Sequence, residues 1–258
     1  MLIVLSPAKS LDFKTPVEVK TPTLPEFASE SAKLIANLKQ LAPQEIANLM
    51  GLSDQLAILN VGRYRDWSKK FTLDNSKPAI YAFNGDVYDG FDAATLDAKS
   101  IAFAQDHIRI LSGLYGALRP LDLMQPYRLE MGTSLNNVRG KDLYAFWGNR
   151  VTKSLREVLE KQKKPLLLNL ASEEYFKVLQ ANDLDCPVIS PVFQDAKEGK
   201  YKIISFYAKR ARGLMARYVV ENRIKESADL QGFNLDGYRY CAAESKPNKP
   251  VFRRAEKK

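Results

Sequence analysis

Apolar residues in this chain are gathered into short runs and short helical stripes, and that limits it to a layered fold of modest elements. The runs at 2–5 (Leu-Ile-Val-Leu) and 166–170 (Leu-Leu-Leu-Asn-Leu) are nearly continuous and end in turn-forming residues. They are too brief for buried helices and read as buried strands. Elsewhere the apolar residues recur three and four apart. Leu34, Ile35, Leu38 and Leu41 mark a helix over 29–41, and Leu143, Phe146, Trp147, Val151, Leu155, Val158 and Leu159 mark a long one over 142–163. No run approaches the roughly 18 apolar residues that a membrane span needs. The apolar start at 1–5 has no basic segment before it and is too short for a secretion signal, so the expected location is the cytoplasm.

The remaining elements follow the same logic. Strands are expected at 79–83, 108–111, 188–193, 201–207, 237–241 and 251–254. Helices are expected at 101–107, 172–179 and 208–223, with Ser172 as an N-cap ahead of Glu173 and Glu174. No repeat, low-complexity segment or linker divides the 258 residues. A single compact domain over 1–258 is therefore expected, with a helical hairpin region near 25–75. Strands and helices mix without a strict alternation, so the class is mixed α/β (α+β).

Two residue counts prune the chemistry. There is one histidine, His107, so a three-histidine zinc site and a two-histidine iron site are both excluded within the chain. A Ser-His-Asp triad would have to use His107, which lies in an apolar stretch where a structural role is the ordinary one. The two cysteines, Cys186 and Cys241, are too few and too far apart in sequence for a disulfide framework or a paired metal motif. No metal and no cofactor is expected. The 39 Lys and Arg against 30 Asp and Glu leave a net charge of +9, which favours anionic partners.

Three constellations locate that charge. In 46–60, Ile46, Leu49, Gly51, Leu52, Ser53 and Ala57 fall at helix-hairpin-helix spacing, with Ser53 standing where that pattern has a second glycine. Such a turn points the amides of the second helix at a phosphate, and Arg63 and Arg65 follow nearby. An ordinary pair of helices with a glycine C-cap has the same pattern. In 207–223, Lys209, Arg210, Arg212, Arg217 and Arg223 share an arc of roughly 160° at about 100° per residue. Only Glu221 balances them locally. Gly213 sits mid-helix on that face, where something must approach closely: a phosphate backbone, a ligand or a packed helix. In 111–132, Arg119, Asp122, Arg128 and Glu130 interrupt an apolar run. They pair with one another, or the arginines fork onto phosphate in a cleft. Ser6 and Lys9 after the first strand, and Asp86 and Tyr88 after the strand at 79–83, are candidates for the same cleft.

The blocks 6–12 (SPAKSLD), 83–88 (FNGDVY), 111–132 (LSGLYGALRPLDLMQPYRLEMG), 169–176 (NLASEEYF) and 202–218 (KIISFYAKRARGLMARY) together resemble the YaaA peroxide stress resistance family, nearly from end to end. The resemblance implies an uncommon mixed α/β topology carrying a helix-hairpin-helix element and a basic cleft. It implies DNA binding in the response to hydrogen peroxide, protection of DNA from oxidative damage, and lowered free intracellular iron. Carried onto this chain, the DNA contacts are expected at Gly51, Leu52, Ser53, Arg63, Lys209, Arg210, Arg212 and Arg217. Ser6, Lys9, Asp86, Tyr88, Arg119 and Arg128 are the candidate cleft. The expected partner is duplex DNA, distorted or damaged duplexes included, and the chain is expected to be a monomer. No catalytic set transfers with the resemblance. The alternative is an enzyme acting on a nucleotide-like or phosphorylated substrate in a basic cleft.

Overall fold

The structure, a computed structural model, describes residues 1–19 and 21–256. The chain opens with β1 (Leu2–Leu5) and β2 (Ser10–Leu11), then three helices, α1 (Ala28–Leu38), α2 (Pro43–Met50) and α3 (Asp54–Asp66). Short elements follow: β3 (Lys77–Pro78), α4 (Ala79–Ala82), β4 (Phe83–Asn84), α5 (Asp86–Phe91) and α6 (Ala98–His107). The middle of the chain holds β5 (Ile108–Ser112), β6 (Gly116–Leu118), β7 (Leu123–Met124), α7 (Leu143–Trp147), α8 (Arg150–Glu160) and β8 (Leu167–Leu170). The last part is α9 (Glu173–Phe176), β9 (Val188–Ile189), β10 (Val192–Lys197), β11 (Lys200–Lys202), α10 (Ser205–Glu221), β12 (Tyr238–Tyr240) and β13 (Val251–Arg254).

β1 is buried along its whole length, as its unbroken apolar run requires. Each such side chain contributes roughly 1.5–3 kcal/mol of hydrophobic free energy. β1 is the centre of a five-stranded sheet ordered β6-β5-β1-β8-β9. It pairs in parallel with β5 on one side and with β8 on the other, and β8 pairs in parallel with β9. The chain therefore leaves β1 toward β5 and later returns on its opposite side as β8. That reversal opens a crevice beyond the carboxyl ends of β1 and β8. A second sheet, β11-β10-β13-β12, pairs β10 with β13 in parallel and its other strands antiparallel. One continuous core joins the two, from Leu2 and Leu168 to Phe193, Tyr238 and Phe252.

The fold class is mixed α/β, as expected. The domain expected over 1–258 includes residues 20, 257 and 258, which lie outside the described residues. The helical region near 25–75 has no core of its own. Leu34, Ile46, Ala57 and Tyr64 join the common one, and Trp67 donates its indole N–H to the Tyr115 hydroxyl at 2.9 Å.

Several local expectations are corrected. Residues 79–82 form a helical turn, with the strand confined to Phe83 and Asn84. A short buried run has no periodicity to separate the two. The helix expected over 142–163 breaks at Gly148, whose φ of 51° and ψ of −124° no other residue adopts readily, leaving α7 and α8. The strand expected over 188–193 splits at Pro191 and feeds both sheets, because proline cannot donate to a ladder. The strand expected over 201–207 ends at Lys202, and α10 begins at Ser205, three residues ahead of the expected start. The helix expected over 172–179 stops at Phe176.

Candidate functional site

The crevice beyond β1 and β8 is a cavity of about 500 Å³. Five segments supply its walls: the Ser6–Ser10 turn after β1, the Asn84–Tyr88 segment that opens α5, Glu130 after β7, Ser172 and Glu174 after β8, and Lys209 and Arg212 from α10. Ser6 and Ser172 meet there although 166 residues separate them. The Ser172 amide donates to Ser6 Oγ at 2.8 Å, and the two hydroxyls are 3.3 Å apart. Ser172 takes its expected place ahead of α9 but makes no side-chain cap, because its hydroxyl faces Ser6 instead. Tyr88 donates to the Ser6 carbonyl at 3.0 Å. Burial, with Tyr127 and Tyr175 close by, pushes the Tyr88 phenol well above its ordinary value, so it keeps its proton and acts as a strut.

A close helix crossing aims α10 at this cavity. A Cβ on Gly213 would lie 1.8 Å from the Val87 carbonyl oxygen, and one on Gly90 would lie 2.2 Å from the Arg210 carbonyl oxygen. The two glycines let α10 and α5 touch backbone to backbone. Of the approaches that the mid-helix glycine admits, packing against a neighbouring helix is the one present.

That crossing divides the expected basic residues. Arg217 is committed: it pairs with Glu221 at 2.8 Å and donates to the carbonyls of Phe91 and Asp92 and to the Thr95 hydroxyl. It ties α10 to the end of α5 and is no free cation. Arg223 lies beyond the helix and stacks over Phe103. Lys209, Arg210 and Arg212 make neither hydrogen bond nor ion pair among the described residues. Arg212 is half-buried, and burial lowers its guanidinium below the ordinary arginine value, with Glu173 nearby opposing that.

The candidate cleft residues separate in the same way. Ser6, Lys9, Asp86 and Tyr88 line the cavity together. Arg119 does not. It pairs with the buried Asp122 at 2.9 Å and donates to the Leu24 carbonyl. Arg128 stands one layer back and pairs with Glu130 at 2.8 Å, and Glu130 in turn pairs with Lys9 at 2.8 Å. Burial tends to raise the Glu130 carboxyl, but the bonds from Lys9 and Arg128 outweigh it and hold the group below the ordinary value. The lining is mixed rather than uniformly basic: Lys9, Lys209 and Arg212 face Asp86, Glu130 and Glu174. Glu174 also accepts the Gly132 amide at 3.0 Å.

The hairpin residues form a helix, a left-handed turn and a second helix. α2 ends at Gly51 with φ 60° and ψ 45°, and no atom lies within 4 Å of where its Cβ would be. Ser53 is the N-cap of α3 and accepts from the Leu56 amide at 3.5 Å, a long bond. Ile46 and Ala57 are buried between the helices and the core, while Asp54 and Gln55 at the start of α3 are exposed. Arg63 is half-buried, donates to Asn60 at 3.2 Å and lies close enough to Arg128 for the two charges to interact.

His107 is structural. Its ring stacks on Phe103 at 3.9 Å, and its Nδ1 lies 3.1 Å from the Phe103 carbonyl. Burial lowers its pKa below 6.5, with the Phe103 carbonyl opposing. The folded value lies below the unfolded one, so the neutral ring is favoured in the fold. That stability is full above about pH 6.5 and is lost as the pH falls from the unfolded value through the lower folded one. As the only histidine, it should give one titrating imidazole resonance by NMR, with a midpoint under 6.5. A midpoint at or above 6.5 would contradict the desolvated stack. Cys186 and Cys241 are free and half-buried, and burial pushes the Cys186 thiol up. Among the described residues no group of three or more His, Cys, Asp or Glu side chains is placed to hold a metal, and no helix is long and apolar enough to cross a membrane.

Sequence reasoning placed Ser172 at a helix start but not at the cavity. The available signal was that Ser6 and Ser172 both stand just past the carboxyl end of an apolar run.

Comparison with known proteins agrees with the blocks singled out above. The chain is 81% identical over 258 residues, the full length of both chains, to a UPF0246 protein of Polynucleobacter asymbioticus. It is 61% identical over 254 residues, 98% of each chain, to a UPF0246 protein of Janthinobacterium sp. (strain Marseille), and 60% identical over 256 residues to one of Burkholderia multivorans, again 98% of each chain. A family profile described as "Peroxide stress protein YaaA" matches residues 1–244. With that match over nearly the whole chain, the protein belongs to the YaaA peroxide stress protein family.

Proposed function

We propose that this protein binds duplex DNA in the cellular response to hydrogen peroxide, gripping the phosphate backbone with the α2–α3 turn and the unpartnered cations of α10. The observation that carries the reading is the turn. Gly51 is left-handed and open above, and the exposed first turn of α3 has amides without intrahelical partners, which is the geometry that accepts a phosphate oxygen. Lys209, Arg210 and Arg212 add positive charge that no hydrogen bond or ion pair among the described residues ties down. Arg63, Arg128, Glu130 and Lys9 form a chain of charged neighbours from α3 to the cavity wall. In this reading DNA is shielded from oxidative damage while bound, and lowered free iron is an indirect effect.

A labelled short duplex titrated across a salt series tests it. Affinity should fall steeply with salt, with little dependence on sequence, and a bulged duplex should bind at least as well. No binding at low salt would sink the proposal. The exposed Asp54 supplies a sharper test, because its carboxylate stands at the amide end of α3. Asp54→Asn should tighten duplex binding by about two- to fivefold at low salt, the scale of one exposed charge interaction. An unchanged or weaker affinity would remove the α3 terminus from the interface.

An enzyme on a nucleotide-like substrate retains one observation in its favour: the cavity sits at the sheet's switch point, the usual ligand position in open α/β sheets.

A further inference from the structure

A second cavity of about 330 Å³ lies beside the first, beyond the ends of β8 and β9, and Arg212 lines both. Both carry charge, and they differ in the groups that line them. The second joins apolar surface from Phe176, Phe193 and Ile203 to Asn169 and Ser190, with Glu173 and Lys249 also on its lining. The Asn169 amide nitrogen lies 3.3 Å from Ser190 Oγ, a long bond, while its Oδ1 accepts the Ala171 amide. An aromatic and aliphatic lining with a carboxamide and a hydroxyl beside it suits a planar heterocycle carrying donors and acceptors in its plane. The sizes of the two cavities are those of small-ligand sites. Arg212 on the shared wall is half-buried with Glu173 near it but makes no hydrogen bond or ion pair among the described residues, which leaves its donors open to a further anion.

We propose that the two cavities form one nucleotide site, with the base in the β8–β9 cavity between Phe176 and Ile203, and its phosphate on Arg212 at the mouth of the β1–β8 cavity. The inference rests on the anion-binding part of the proposed function. It adds that one nucleotide, free or turned out of a strand, is held by its base as well as its phosphate. Turning a base out of a duplex costs a few kcal/mol and costs least at a bulge or mismatch, so a site of this kind selects distorted DNA.

Calorimetric titration of the whole protein at low salt with 5′-mononucleotides, ribose 5-phosphate and inorganic phosphate tests it. The mononucleotides should bind about tenfold or more tighter than ribose 5-phosphate, the scale of one base stacked on apolar side chains. Ile203→Ser changes a residue 63% exposed and leaves the core untouched. It should cut that advantage at least roughly threefold without changing ribose 5-phosphate binding. Phe176→Leu, which keeps apolar bulk, should act in the same direction. Arg212→Gln should weaken all three ligands. Equal affinity for mononucleotide and ribose 5-phosphate, or an advantage that survives both variants, overturns the inference. Duplex binding in the same buffer separates the two readings. Duplex binding with no base-dependent mononucleotide binding removes the inference and leaves the function. Base-dependent mononucleotide binding without duplex binding supports the inference and removes the DNA reading.

Discussion

Gly213→Ala is expected to destabilise the protein by about 3 kcal/mol, at the upper end of the cost of overpacking, and to lower its thermal midpoint by roughly 6–12 °C. On helix propensity alone the change should stabilise, since a mid-helix glycine costs about 1 kcal/mol relative to alanine. The crossing reverses the sign. The added Cβ would lie 1.8 Å from the Val87 carbonyl oxygen and 2.8 Å from the Phe91 amide nitrogen, and neither is a side chain that can swing aside. α10 would have to lift from α5, breaking the reciprocal contact at Gly90 and the Arg217 bonds to Phe91 and Asp92. Gly62→Ala is the matched control. It also lies inside a helix, α3, but nothing stands within 4 Å of the new atom, so it should stabilise by about 0.5–1 kcal/mol. Opposite signs by calorimetry or denaturant melting establish the crossing; two stabilised variants would refute it. Because the crossing carries Lys209 and Arg212 to the cavity, Gly213→Ala should also weaken anion binding while the chain is still folded.

Reversing Lys209 and Arg212 together to glutamate is expected to lower duplex affinity by about 100-fold at low salt and to flatten the salt dependence by roughly two charges. These cations make no hydrogen bond or ion pair among the described residues, so their loss breaks no direct pair, although Glu173 loses its neighbour at Arg212. Lys209 is exposed and Arg212 half-buried. The fold should therefore survive, with the larger cost at Arg212. A general charge effect must be separated from a local one. Lys153→Glu with Lys161→Glu, on and just after α8, shifts the net charge of +9 by the same four units. That control should weaken binding only severalfold, through the long-range field. Equal losses in the two pairs would mean that net charge alone drives association. Arg217→Glu is unsuitable as a probe, since it breaks the tie between α10 and α5 as well as removing a charge.

Most of what was legible beforehand is local along the chain. The continuous apolar run at 2–5 became the buried centre of the sheet, and the pattern Ile46, Leu49, Gly51, Ser53, Ala57 became two helices around a left-handed glycine. The errors fell where a local signal was ambiguous or was cut by one residue. Residues 79–82 are apolar without periodicity and coiled into a helical turn, and Gly148 and Pro191 each divided an element that periodicity had joined.

The candidate site divides along a different line. By itself the sequence determined which residues are chemically able to meet an anion: the net charge, the basic arc of 207–223, and the serine and lysine after the first strand. Only the tertiary structure decided which of them are available. It spent Arg217 on Glu221 and the carbonyls at the end of α5, Arg119 on Asp122, and Arg128 on Glu130, and it left Lys209, Arg210 and Arg212 without a hydrogen bond or ion pair among the described residues. It brought Ser6 within hydrogen-bond reach of Ser172, and it faced the cations of the cavity with Asp86, Glu130 and Glu174. The reason is physical. Periodicity, capping and turn preference act between residues a few positions apart, so a sequence displays them directly. Ion pairing and desolvation depend on distance through space, and residues 166 positions apart acquire that distance only when the sheet order β5-β1-β8 is complete.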